Sequence, residues 1–162
     1  MNGPSRRHSA AIVLPVLLIL AGCSSSASSS PSDEPEASGG GVGTTVDVEL
    51  QEFAVIPAEA SAPAGPVTFS VTNNGPDVVH QFVIIRTDLE PGDLPTDEHG
   101  VVDESGEGIE VVDEIEDIPV GETMEVTADL EAGSYVLICN VFDEASGTAH
   151  YSEGMRAAFT VE

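Results

Sequence analysis

Ser134-Tyr135-Val136-Leu137-Ile138-Cys139-Asn140-Val141 is the stretch that decides the fold. It follows the turn Glu131-Ala132-Gly133 and is rich in β-branched and aromatic residues. It predicts a strand with Tyr135, Leu137 and Cys139 on one face. Outward in both directions the same pattern recurs. Thr45 to Leu50, Val67 to Thr72 and Met124 to Leu130 alternate apolar and polar residues, the period of a half-buried strand. Phe53 to Ile56, His80 to Ile85 and Arg156 to Val161 are further strand-like runs, with His80, Phe82 and Ile84 sharing a face. Asn73-Asn74-Gly75-Pro76 is a turn cluster. No segment after Gly43 offers three clean helical turns. The expected architecture is all-β: a two-sheet antiparallel Greek-key β-sandwich over residues 44–162, long enough for one modest core.

Residues 86–117 fit this pattern worst. They are dense in Asp and Glu, with Pro91, Pro95, several glycines and His99. The segment reads as a charged, solvated excursion, with a short helix or hairpin around Ile109 to Ile115. His99 is expected in solvent. No carboxylate spacing matches a calcium loop.

The first 22 residues read as a leader. Arg6, Arg7 and His8 form a basic start, and Ala10 to Leu20 is an apolar run too short to span a bilayer. The run ends in Leu20-Ala21-Gly22-Cys23, a bacterial lipobox. Residues 1–22 are therefore expected to be a lipoprotein signal peptide, with Cys23 the lipidated thiol. Residues 23–43 carry that cysteine and a Ser, Gly and Pro-rich stretch without the apolar content to fold. As a flexible tether it spans roughly 25 Å. The expected location is the extracytoplasmic face of a bacterial membrane, with the lipid as the only membrane contact.

The chain has 29 acidic residues against four basic ones and a net charge of −25. Two of the four, Arg6 and Arg7, lie in the leader. Such a surface repels nucleic acid and anionic lipid headgroups. It either favours protein partners with basic docking surfaces or serves solubility and salt tolerance alone, and a monomer is expected.

If lipid consumes Cys23, Cys139 has no disulfide partner, and an odd thiol in an exported protein needs a reason. Burial as a small apolar residue is one. Metal ligation is the other. Cys139 is followed by His150 and Met155, and preceded by His80. Two imidazoles, a thiolate and a thioether suit copper, because soft sulfur favours the monovalent ion and imidazole the divalent one. Zinc accepts two imidazoles and a thiolate but leaves Met155 unexplained.

The chain resembles the cupredoxins, the small blue-copper proteins, at two motifs. One is Asn74-Gly75 through His80 and Phe82. The other runs from Tyr135 to Cys139-Asn140 and ends in His150-Tyr151, Gly154-Met155-Arg156 and the terminal strand. The resemblance implies one copper per domain, with His80, Cys139 and His150 in a trigonal plane and Met155 as the long axial ligand. It implies that Asn74 or Asn140 braces the ligand loops, and that Tyr135, Phe82 and Phe142 shield the ion. One departure stands out: ten residues, Asn140 to Ala149, separate the thiol from the second histidine, several more than is usual. Asp143 or Glu144 in this longer loop is a candidate oxygen ligand. The expected function is single-electron transfer without catalysis. A copper chaperone, store or sensor with the same ligands is the alternative.

Overall fold

The computed structural model describes residues 43–162. The expected signal peptide, lipidated Cys23 and tether lie outside the described residues. Among these residues no helix is long and apolar enough to cross a membrane.

The alternation in the first strand, β1 (Thr44–Gln51), turns Val46, Val48 and Leu50 inward and Asp47 and Glu49 outward. β2 (Ala54–Pro57) folds back on it through the two-residue connection Glu52-Phe53. β3 (Ser61–Ala62) is a short strand in the loop before β4 (Gly65–Asn73), where Val67, Phe69, Val71 and Asn73 take the buried phase. β5 (His80–Arg86) and β6 (Glu110–Ile118) follow, then β7 (Thr123–Leu130) and β8 (Gly133–Ile138). β9 (Phe142–Asp143), β10 (Thr148–Ala149) and the single turn α1 (His150–Glu153) lead into β11 (Arg156–Val161).

Two sheets face each other, in the orders β2-β1-β4-β7 and β3-β11-β8-β5-β6. The expected sandwich is there, and its sheets are mixed. β1 runs parallel to β4, and β3 parallel to β11, while the other pairings are antiparallel. The reason is the connection after β1. Through β2 and β3 the chain passes from one sheet to the other, then returns as β4 in the direction of β1. Between the sheets Phe69 packs against Phe82 and Phe159, each at 5.4 Å between ring centres. Such aromatic pairs contribute about 1 kcal/mol each beyond their buried area.

The excursion departs from expectation. Residues 110–118 form neither helix nor local hairpin: β6 is one edge strand on β5, with Ile115 and Ile118 turned into the core. Nor is the rest simply solvated. Leu94 and Val102 are buried against Val83, Ile85, Val136 and Ile138, so the loop before β6 covers the outer face of the five-stranded sheet. This explains the unbroken apolar run Phe82-Val83-Ile84-Ile85. A strand covered on both faces has no polar phase. His99 is exposed as expected, with its ring 5.2 Å from that of Phe142.

Candidate metal centre

Antiparallel pairing of β5 and β8 sets the start of one beside the end of the other, with Val83 opposite Ile138. His80 therefore lies near Cys139, and the Gln81 N–H donates to Cys139 Sγ at 3.3 Å. The ten residues that follow do not open the site. β9 and β10 pair as a small hairpin, and its turn is closed by Asp143. The Asp143 carboxylate accepts from Ala145 N–H and the Ser146 hydroxyl, and its carbonyl from Gly147 N–H. Gly147 supplies the positive φ of 73° that this turn needs. His150 N–H then donates to Val141 O at 2.9 Å, returning the second histidine to the thiol.

The result is a triangle of donor atoms. His80 Nδ1 and His150 Nδ1 are 3.1 Å apart, and Cys139 Sγ lies 3.6 Å from the first and 3.4 Å from the second. Three ligands about 2 Å from a common centre in one plane are separated by about 3.5 Å, taking ordinary metal–ligand bond lengths. The observed spacings fit such a group. Met155 is fully buried beside them: its carbonyl accepts from Cys139 N–H at 3.1 Å, and its N–H donates to His150 O at 3.0 Å. Asp143 and Glu144 do not join this cluster. Asp143 is occupied in its own turn, and Glu144 is exposed.

His80, Cys139 and His150 are all buried. Burial lowers the pKa of His80 to about 4, helped by His150 and opposed by Glu52. Burial also lowers that of His150, against the pull of Asp143 and Glu52. It raises the Cys139 thiol to about 11, although backbone N–H groups of Gln81 and Val141 favour the anion. Both imidazoles are thus neutral at pH 7 and offer lone pairs, while the thiol keeps its proton unless a bound cation displaces it.

The surrounding supports differ in part from those expected. The buried amide is Asn73, not Asn74: it donates to Val78 O and Ile118 O and accepts from Gly75 N–H, shaping the loop before His80. Asn140 does brace the ligand loop, but against Val102 and Glu104 in the excursion. Tyr151 adds a second tie there, donating to Pro91 O and accepting from Leu94 N–H. Tyr135 does not shield the site. Four residues along a strand place it about 13 Å from Cys139, and its hydroxyl donates to Glu131 O. Phe82 lies in the inter-sheet core, and Phe142 is half-buried in the hairpin. The ring on His150 is Phe53, edge-on at 5.3 Å. Phe53 and its neighbour Glu52 escaped the sequence reading. Their one signal is a two-residue hairpin connection built from Glu-Phe, where Asn-Gly or another glycine pair is usual.

Among solved structures, the domain is similar to dithionite-reduced auracyanin from the photosynthetic bacterium Roseiflexus castenholzii. Identity is 19% and TM-score 0.52, covering 75% of this chain and 99% of that one. Auracyanin B is similar at 22% identity and TM-score 0.50, over 74% of this chain and 88% of that one. The fold is that of the cupredoxins. No protein-family model and no curated protein matches the sequence.

Proposed function

We propose that the chain is a blue-copper electron carrier, tethered by lipid on Cys23 to the extracytoplasmic face of a bacterial membrane and exchanging single electrons with protein partners. The observation that carries this is the convergence of His80 Nδ1, His150 Nδ1 and Cys139 Sγ within 3.6 Å of one another, with a buried methionine in the same loop. When bound, copper supplies a one-electron couple that soft and hard donors stabilise in its two states. His80, Cys139 and His150 would hold the ion, with the buried Met155 beside them as the fourth donor.

The chain's own part is to hold the donors still. β5 and β8 fix His80 and Cys139, and the β9–β10 hairpin fixes His150. A donor set that moves little on electron transfer lowers the cost of reorganisation. Phe53 excludes water from His150, and its own ring is partly exposed, as is Val79 on the loop before His80. This end of the sandwich is the side from which a partner would approach. Full burial of the donors favours a carrier over a chaperone or store, which must let its metal out.

Copper titration of the full chain in detergent tests this reading. An intense visible thiolate-to-copper band and a narrow-hyperfine paramagnetic resonance spectrum are expected, and Cys139→Ser should abolish both. A wild-type chain without the band overturns it. For the anchor, Cys23→Ala should shift the chain from the membrane fraction to the soluble one.

A further inference from the structure

The turn Glu52-Phe53 sends one side chain toward each imidazole. Phe53 covers His150, while Glu52 reaches under the loop before His80. There its Oε1 accepts from Val78 N–H at 3.3 Å and lies 3.6 Å from His80 Nε2. Two buried polar side-chain atoms lack a hydrogen-bond partner among the described residues: His80 Nε2 and Glu52 Oε2. They belong to this one pair. Two glycines make room for the turn. A Cβ on Gly75 would stand 2.6 Å from Glu52 Oε1 and 2.7 Å from Oε2, and one on Gly154 would stand 3.3 Å from Phe53 O.

We propose that Glu52 is a positioning residue for the metal, holding His80 as an Nδ1 donor and biasing bound copper toward its divalent state. The inference rests on the copper reading above. A carboxylate charge 3.6 Å from Nε2, though beyond hydrogen-bond distance, favours the ring proton on that nitrogen and leaves the Nδ1 lone pair free for the ion. The 3.1 Å contact between the two Nδ1 atoms then makes His150 the Nδ1–H donor in the metal-free protein. The negative charge of Glu52, whose side chain is mostly buried, favours the higher-charged ion over the lower. Glu52 is the only acidic side chain among the described residues within salt-bridge distance of His80.

The test uses the full chain in detergent. Glu52→Gln keeps an acceptor for Val78 N–H and an oxygen facing His80 Nε2 but removes the charge. The blue band is expected to persist, while divalent copper binds about tenfold more weakly and monovalent copper as before. That selective loss corresponds to a rise in midpoint potential of about 59 mV per tenfold. Gly75→Ala pushes the carboxylate aside from the other direction and should raise the potential with Glu52 retained. Nitrogen NMR of the metal-free wild type should find the His80 proton on Nε2, and Glu52→Ala should spread it over both nitrogens. An unchanged potential in both Glu52→Gln and Gly75→Ala overturns the proposal. So does loss of the blue band in Glu52→Gln, which would make Glu52 a ligand, or a wild-type His80 protonated at Nδ1. Absence of the band in the wild type would instead overturn the copper reading itself.

Discussion

His80 and His150 stand 3.1 Å apart at one site, yet the chain holds them in different ways. His80 opens a strand of the five-stranded sheet, and the loop before it is shaped by one buried amide, Asn73. His150 belongs to no main sheet. It follows a small hairpin closed by Asp143, and two ties from Asn140 and Tyr151 bind its surroundings to the excursion before β6. Both rings are buried, but one half of the centre is supported by long-range sheet pairing. The other is supported by local turns and by a loop. The same distance between donors can thus rest on supports of different stability, and the second half should yield first to perturbation that leaves the fold intact.

The comparison breaks most sharply at Asn73. Asn73→Ala would leave the Val78 and Ile118 carbonyls and the Gly75 N–H without their side-chain partner inside the protein. Denaturant unfolding of the metal-free chain is expected to show a loss of about 3–5 kcal/mol.

Proton linkage comes next. The folded pKa of His80, about 4, lies below its ordinary 6.5, so the unfolded chain binds the proton first. The stability tied to neutral His80 is full above pH 6.5 and falls as pH drops toward 4, by roughly 3 kcal/mol at the limit. Cys139 acts in the opposite direction. Its folded pKa of about 11 lies above the ordinary 9.0, so its contribution holds below pH 9 and falls as pH rises toward 11. Unfolding curves of the metal-free chain across pH should show both flanks, and the acid flank should shrink in His80→Gln. An acid flank of equal size in that variant would remove His80 as its cause.

The smallest loss of stability, about 1–2 kcal/mol, is expected for Asn140→Ala, whose bonds to Val102 and Glu104 are only partly buried. Its signature is kinetic. Copper should pass to a chelator several-fold faster, because the loop bearing His150 has lost a tie. An unchanged release rate would mean that the hairpin and the Tyr151 tie secure this half of the centre without Asn140.

Much of this was legible in the chain. Period-two alternation marks β1, β4 and β7 and puts Phe82 and Ile84 on the face of His80, and Leu137 on that of Cys139. The same parity could have identified Asn73, which continues the buried phase of Val67, Phe69 and Val71. The resemblance pointed instead to its neighbour Asn74. β6 hid within its acids, because an edge strand can carry charge on its open face and needs only a few inward residues. Tyr135 shares a face with Cys139, but a face does not specify how far along the strand two residues lie.

The sequence by itself determined most of the long strands, the sandwich and the chain order His80, Cys139, His150, Met155. These follow from local periodicity and from the chemistry of each side chain, neither of which needs a neighbour distant in the chain. Only the tertiary structure decided that a ten-residue loop would close as a hairpin, that a charged excursion would cover a sheet, and that Glu52 and Phe53 would meet the two imidazoles. The last two outcomes depend on which surfaces find each other once the sheets have stacked, and no local pattern encodes a meeting between segments that far apart.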